Sequence, residues 1–526
     1  MFRGLQRPET RAVIGVLGLV LVFYVVNNGV WLLLDRSSPS YDKAAHAGFA
    51  LQFLRLFEEP TRLSLAKLLK VTQYWPPFFH LSSVPVTMVL GFSVASVAAT
   101  NFLFLPVAVF SIYGIGRRLF DGWVGAWAVV LTLLYPIVYF LARTVLVDFA
   151  LLAMVALSLN LVLASDGGLY PRRSWGLGLA AGCAMLTKWT AVVFLSGPAL
   201  FWLVRCLRRG KPRPFAAAAS LGLAALAFAL VALPWYVKAF GPFVEGAKVA
   251  FGSDPLQEGD PAAVLDSVKW YWHATESALI LWPLLIPTLA GLAACLVWRR
   301  HREGRLFLLC WTLPPLVFLV LIPNKDARFV VPALPAVAMM AAAGIQSMPW
   351  RTVRSAIWAS TLAVGILQFY AISFGWPFPA SQASNAPSRR ADWRVGEIVS
   401  AIASTHAARP MLVGVLPNEP DFEPNLFILA TAIGRLPLHV NGLGYHREAA
   451  EDWSRYDAIV SKTGTLSPEY SAGNRIALRQ DLVRRAHASA GGLRIALWRT
   501  WPLPDGSRAE VYTITDTSGT PGTPAR

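Results

Sequence analysis

Long apolar runs recur along the chain with short polar breaks between them. They cover 12–34, 94–116, 122–141, 147–164, 175–187, 189–206, 215–234, 275–298, 305–322, 328–347 and 353–373. Most approach the ~20 residues that an α-helix needs to cross a bilayer; the run 175–187 is the shortest. The pattern predicts a mainly α, polytopic bundle of about eleven transmembrane spans within residues 1–375. Between the first two runs lies a polar-to-amphipathic segment, 35–92. From about Ala380 the pattern becomes that of a soluble domain, 380–514, of mixed α/β type. Strands are expected at Met411–Leu416, Asp457–Ser461, Leu493–Trp498 and Ala509–Ile514, where β-branched and apolar residues concentrate. Helices are expected at Asp392–Ala407 and Asn425–Ile433. The stretch 515–526, rich in Gly, Pro, Ser and Thr, is expected to be disordered.

Basic residues sharpen this picture. Arg3, Arg7 and Arg11, then Arg117 and Arg118, then Arg172 and Arg173 fall in alternate loops. The series continues with Arg205, Arg208, Arg209, Lys211 and Arg213, with Arg299, Arg300, Arg302 and Arg305, and with Arg351 and Arg354. That side is assigned to the cytoplasm by the positive-inside rule. Pro76–Phe92 is apolar enough to be counted as a further span. Counting it would reverse every later loop and leave almost no turn before the next span. It is therefore read as an interfacial or re-entrant helix after the Pro76-Pro77 break. The N-terminus is then inside and the C-terminal domain outside.

Composition agrees with the class. Apolar residues make up 55% of the 526 positions and charged residues 15%, too few charges to cover a soluble fold of this length. The net charge of +17 would point to nucleic acid in a soluble protein. Here the cations sit in loops between spans, so nucleic acid is not expected as a partner. Segment 12–34 lacks a small-residue cleavage site and reads as a first anchor, which places the chain in the plasma (inner) membrane. Cys183, Cys206, Cys295 and Cys310 lie in or at the ends of apolar runs, which argues against a disulfide framework.

With this topology the unusual polar residues collect on the outer face. Asp42 and His46 are four apart in the first outer loop, and Tyr74-Trp75-Pro76-Pro77 and His80 close it. Arg143 and Asp148 bracket the start of the fourth span, and Lys188 sits between the two short runs. Pro234-Trp235-Tyr236 opens a loop reaching His273 and Glu276, and Lys325, Asp326 and Arg328 precede the tenth span. Ionisable groups at membrane depth are costly and mark functional pathways. Each also has a plainer reading. Asp42 serves equally as a solvated or helix-starting acid, and His46 and His80 as satisfied hydrogen-bonding groups. Arg143 and Asp148 also read as a structural ion pair, Lys188, Lys325 and Arg328 as snorkelling cations, and Trp235 and Tyr236 as interface anchors. Convergence of distant segments on one face favours function.

The ordered set resembles the GT-C glycosyltransferases, in particular bacterial relatives of protein O-mannosyltransferases and of the lipid A aminoarabinose transferase. The matching pieces are Tyr41-Asp42, Tyr74-Trp75-Pro76-Pro77, Gly116-Arg117-Arg118-Leu119-Phe120, Arg143…Asp148, Leu186-Thr187-Lys188, Pro234-Trp235-Tyr236 and Lys325…Arg328-Phe329-Val330-Val331-Pro332. They occur in family order over roughly residues 10–350. One departure is Lys43 after Asp42, where the family often has Asp-Glu. A second carboxylate is thereby lost, which makes a metal there less plausible, since hard cations take several oxygen ligands. No metal motif identifies a cofactor.

The resemblance implies a hexosyl- or pentosyltransferase that uses a polyprenyl-phosphate sugar donor and inverts the anomeric carbon. It implies an envelope acceptor (protein, lipid or glycan) on the extracytoplasmic face. Asp42 is the expected general base, with Asp148 as the second catalytic candidate. Lys188, Lys325, Arg328 and Arg143 are the expected contacts to the donor phosphate. His46, Tyr74, His80 and Tyr236 are the expected substrate contacts, and the outer segment Phe240–His273 is a candidate lid. A transporter or flippase of a lipid-linked saccharide is the competing class. It would call for polar residues deep in the spans and symmetry between halves, and neither is evident.

Overall fold

The computed structural model describes residues 8–59, 61, 63–166, 170–208, 214–251, 260–261, 263–297, 302–377, 392–405, 409–444, 451–464, 474–488 and 493–516. The chain divides into two compact units. The first comprises Met1–Asp35 and Phe53–Pro387, the second Arg36–Gln52 and Ser388–Arg526.

The first unit is helical. Among the described residues six helices are long and apolar enough to cross a membrane: Arg11–Leu34, Val94–Leu119, Ala218–Lys238, Arg302–Leu321, Ala327–Ser347 and Arg351–Phe374. A seventh is added if Val264–Leu279 and Trp282–Val297, bent by 118°, form one broken span. Three other expected spans are present as the shorter apolar helices Gly122–Leu134, Asp148–Ala164 and Ala191–Val204, and 175–187 lies in the helix Pro171–Thr187; local chemistry explains the breaks. Gly122–Leu134 stops at Tyr135, which is extended (φ −67°, ψ 128°) because it precedes Pro136. Pro136 then starts a separate turn, Pro136–Leu141. Pro171–Thr187 and Ala191–Arg208 are separated where Lys188 is extended. The helix Phe78–Leu90 follows Pro77 as its first cap; its 13 residues rise about 20 Å, less than a hydrocarbon core. Close packing is set by small residues. A Cβ on Gly344 would lie 1.8 Å from the Gly291 carbonyl oxygen, so Leu334–Ser347 and Trp282–Val297 approach at backbone contact.

The basic positions Arg3, Arg7, Arg209, Lys211, Arg213, Arg299 and Arg300 lie outside the described residues. So do 252–259 and 262 of the expected lid, whose remainder forms the helices Phe240–Phe251 and Val264–Ala274.

The second unit is an α/β fold built on strands β1 (Met411–Val415), β2 (Leu438–Gly442), β3 (Ala458–Lys462), β4 (Leu493–Pro502) and β5 (Arg508–Asp516). The order is β2-β1-β3-β5-β4; β1 runs parallel to β2 and β3, and β5 is antiparallel to β3 and β4. Met411, Val413 and Val415 face one core with Ile398, Ile402 and Phe427 of the helices Val395–Thr405 and Pro424–Gly434. Ile459 and Leu416 face the other, with Leu478 and Leu482 of the helix Arg475–Ala488. Cover on both faces is why β1 and β3 read as nearly continuous apolar runs. Beyond the four expected strands the sheet includes β2, in which only Leu438 is buried. It also has the helix Arg475–Ala488, whose apolar face is two leucines wide amid charges. β5 continues to Asp516, and 517–526 of the expected disordered tail lie outside the described residues.

Candidate functional site

Within the first unit the scattered motif pieces are joined by a chain of contacts. The indole Nε1 of Trp235 donates to the carbonyl and Oγ1 of Thr72, both at 3.2 Å, fixing the segment that leads into Tyr74-Trp75-Pro76-Pro77. Leu186, Trp235 and Ala239 form a small apolar cluster with Leu69 and Phe78 packed on it. The next residue, Tyr236, donates its hydroxyl to the Met185 carbonyl at 2.8 Å, just ahead of Leu186-Thr187-Lys188. Tyr236 is thus a structural tie as well as a candidate contact. Tyr74 lies flat on Gly246: a Cβ there would meet its ring at 2.1 Å, so any larger residue would displace it.

Lys188 is where three pieces meet. The helix Pro171–Thr187 ends at it, and its extended backbone turns the side chain toward the first residue of the helix Asp148–Ala164. The ammonium lies 2.8 Å from Asp148 Oδ1, with the carboxylate side chain 2% and the lysine 17% exposed. The same ammonium lies 4.5 Å from the ring centre of Phe329, inside Arg328-Phe329-Val330-Val331-Pro332. Asp148 therefore takes its cation from Lys188, while Arg143 takes other partners.

Arg143 is almost fully buried. Its guanidinium carbon lies 4.4 Å over the Trp31 ring and 5.4 Å from the Tyr139 ring, and Nη1 donates to Ser373 Oγ at 2.7 Å. Nε and Nη2 have no hydrogen-bond partner among the described residues. Both atoms are sealed from solvent, and the Asp35 carboxylate supplies negative charge that acts on the guanidinium. Sequence reasoning found the arginine but not Tyr139, four residues before it, nor Trp31 and Ser373, which come from two distant helices.

Lys325 and Arg328 differ despite their proximity. The Lys325 ammonium donates to the carbonyls of Leu319 and Val320, each at 3.1 Å, and to that of Ile322, closing the C-terminal end of the helix Arg302–Leu321. Cations at that end also meet the helix dipole favourably. Its backbone N–H donates to Asp260 Oδ2 at 2.9 Å. Burial pushes the Lys325 ammonium pKa down and the Asp260 carboxylate pulls it back up; burial raises Asp260, and the Lys325 N–H opposes that. Asp326 caps the 3-10 turn Ala327–Ala333 by accepting from the Arg328 N–H at 2.8 Å. It also takes the Arg328 Nη2 at 2.5 Å. That guanidinium remains about a quarter exposed, so an incoming anion can reach it.

His80 is buried, stacked on Phe53 at 6.4 Å and edge-on to Phe79 at 5.8 Å. In the second unit Asp42 is half-buried and opens the helix Asp42–Glu58, with His46 buried one turn later. Tyr41 before it carries a left-handed φ of +52°. Its N–H donates to Glu423 Oε1 and its hydroxyl to the Asn418 carbonyl, each at 3.1 Å. Glu423 was not singled out from sequence, although Glu before Pro424 and an apolar run is a readable helix start. Among the described residues no group of three or more His, Cys, Asp or Glu is arranged to hold a metal ion.

A family model described as dolichyl-phosphate-mannose-protein mannosyltransferase matches residues 75–235, a stretch that holds three of the motif pieces whole and most of two more. No curated protein matches the chain. Among solved structures, ArnT from Cupriavidus metallidurans in the apo state aligns over 96% of this chain and 98% of its own, at 14% identity and a TM-score of 0.59. The same protein bound to undecaprenyl phosphate aligns over 96% and 99%, at 14% identity and a TM-score of 0.57. The oligosaccharyltransferase AglB from Archaeoglobus fulgidus, in complex with an inhibitory peptide and a dolichol-phosphate, aligns over 98% of this chain and 75% of its own, at 11% identity and a TM-score of 0.51. The chain thus shares, over nearly its whole length, the fold of ArnT from Cupriavidus metallidurans.

Proposed function

We propose that this protein is an integral-membrane glycosyltransferase that moves a sugar from a polyprenyl-phosphate-linked donor to an envelope acceptor on the extracytoplasmic face. The observation that carries the reading is the linkage of the motif pieces through Trp235, Tyr236 and Lys188. Pieces that are individually common in sequence share one connected set of contacts in a fold like that of ArnT.

The chemistry assigned is an inverting displacement. The acceptor oxygen or nitrogen attacks the anomeric carbon as its proton passes to the Asp42 carboxylate. The bond from that carbon to the phosphate oxygen breaks, and the lipid phosphate leaves with the electron pair. Arg328 is assigned to the departing charge, because its guanidinium keeps exposed surface. Arg143 is sealed against Trp31, Tyr139 and Ser373 and is assigned a structural role instead. Lys325 already directs its ammonium at three carbonyls and is assigned chiefly to shaping the turn that presents Arg328. Asp148 is assigned to orienting Lys188, because its buried carboxylate already holds the ammonium at 2.8 Å.

Mass spectrometry of glycolipids and envelope glycoproteins from cells with and without the protein tests this directly. One sugar-bearing species should disappear with the gene and return with the wild-type chain but not with Asp42→Asn. Identical profiles in the two strains would remove the transferase reading.

A further inference from the structure

Tyr41 is the residue on which the direction of Asp42 depends. A non-glycine residue at φ +52° persists only where its surroundings over-determine it. At Tyr41 two contacts do so, both from one short stretch of the second unit. The buried Glu423 carboxylate accepts the Tyr41 N–H through Oε1, and the Asn418 carbonyl accepts the Tyr41 hydroxyl. The helix begins at the next residue, so the left-handed turn at Tyr41 sets where its first carboxylate points.

Glu423 is itself fixed. Oε2 accepts from the Asn425 N–H at 2.8 Å, and Oε1 also accepts from the Leu426 N–H at 3.1 Å, capping the helix Pro424–Gly434. The carboxylate therefore joins two helix starts that are 382 residues apart in sequence. Lys43, on the other side of Asp42, lies in the field of Asp421 in the same stretch. A simple helix cap needs the Asn425 and Leu426 bonds; the bond to Tyr41 is additional, and it coincides with the strained residue beside the assigned base.

We infer that Glu423 is a positioning residue for Asp42, acting through the backbone of Tyr41. The inference rests on Asp42 being the proton acceptor proposed above. It predicts that the soluble domain takes part in catalysis by aiming a side chain that the first outer loop supplies.

The test uses the full chain purified in detergent and two substitutions. Glu423→Asp keeps a side chain that caps helices well but is one methylene too short to serve both helix starts. Tyr41→Phe removes the hydroxyl and with it the bond to Asn418. Hydrogen exchange at residues 41–44 should quicken in Glu423→Asp while the helix Pro424–Gly434 keeps its protection. With polyprenyl-phosphate mannose as donor and membranes of cells lacking the protein as acceptor, kcat should fall by up to about 100-fold with donor KM unchanged, the scale expected of a small misplacement. The two substitutions should be non-additive, since both act through Tyr41. Unchanged exchange at 41–44 in Glu423→Asp overturns the inference without any substrate. Wild-type kcat in Glu423→Asp, where Asp42→Asn is inactive, also overturns it and leaves the base in place. Wild-type turnover in Asp42→Asn instead overturns the base assignment, and the positioning role with it.

Discussion

The two units treat charge differently. In the first, Asp148 pairs with Lys188 inside the helical bundle, and Arg143 sits between aromatic rings with Ser373 as its hydrogen-bonded neighbour. In the second, Arg409 meets Asp457, and Arg484 and Arg485 meet Asp481, with the arginines more than half exposed. The buried Glu423 there accepts backbone N–H groups. Surface pairs in water contribute little, whereas an ion pair inside a bundle is costly to break because the remaining charge has no solvent to return to. A charge kept in the interior of the first unit therefore calls for a functional or structural reason, and an exposed pair of the second unit calls for none.

Substitutions that exploit this contrast separate chemistry from architecture. The largest effect is expected from Asp42→Asn, which removes basicity while keeping size. Transfer should fall by about 10²- to 10⁴-fold with donor binding retained, as measured by single-turnover transfer and by titration with the lipid donor. Near wild-type transfer would empty the second unit of catalytic chemistry. Lys188→Met comes next. It leaves Asp148 buried without its cation and should cost about 3–5 kcal/mol of stability, read as a lowered melting temperature in detergent. Adding Asp148→Asn should recover most of that loss. If the single substitution melts like wild type, water reaches Asp148 and the interior is wetter than the burial indicates.

Arg328→Ala should weaken polyprenyl-phosphate binding by roughly 10- to 100-fold, the loss of a charge-assisted hydrogen bond. Arg328→Lys should restore only part, since a point charge lacks the two-pronged guanidinium geometry. Equal affinity in both variants and wild type would leave Arg328 a structural role beside Asp326.

The smallest effect is a pH dependence confined to the second unit. Burial raises the carboxyls of Asp481 and Asp505. The bonds from Trp453, Arg484 and Arg485 to the first, and from Lys462 and Ser507 to the second, outweigh it and hold both below the usual value. A depressed folded pKa contributes stability above the unfolded pKa that is lost as pH falls through the folded one. Glu423, pushed up by burial against its N–H donors, acts oppositely: its contribution is present below the usual value and fades as pH rises through the raised one. Protection of β3 and β4 against hydrogen exchange should therefore decline on acidification, and Asp481→Asn should flatten that decline. An unchanged acid profile would show that these pairs are too solvated to matter.

The sequence by itself determined what is written in local order. Apolar runs fix which segments form bundle helices, because burying them in lipid or protein needs no particular partner. Pro136 and Pro77 fix breaks, because proline constrains the residue before it and lacks an N–H. The apolar β1 and β3 announce a sheet covered on both faces, whereas β2, with one buried side chain, does not announce itself. The order of the motif pieces along the chain singles out Lys188, Arg143 and Arg328 without reference to their contacts. Tertiary structure alone decided what each charge does: that Asp148 pairs with Lys188 and not with Arg143, that Lys325 closes a helix, and that Tyr41 is held by Glu423. Such contacts have no period and no fixed spacing. They depend on where two distant backbones happen to end, and the low dielectric of the interior, by making an unpartnered charge so costly, turns those meetings into the definite pairs observed.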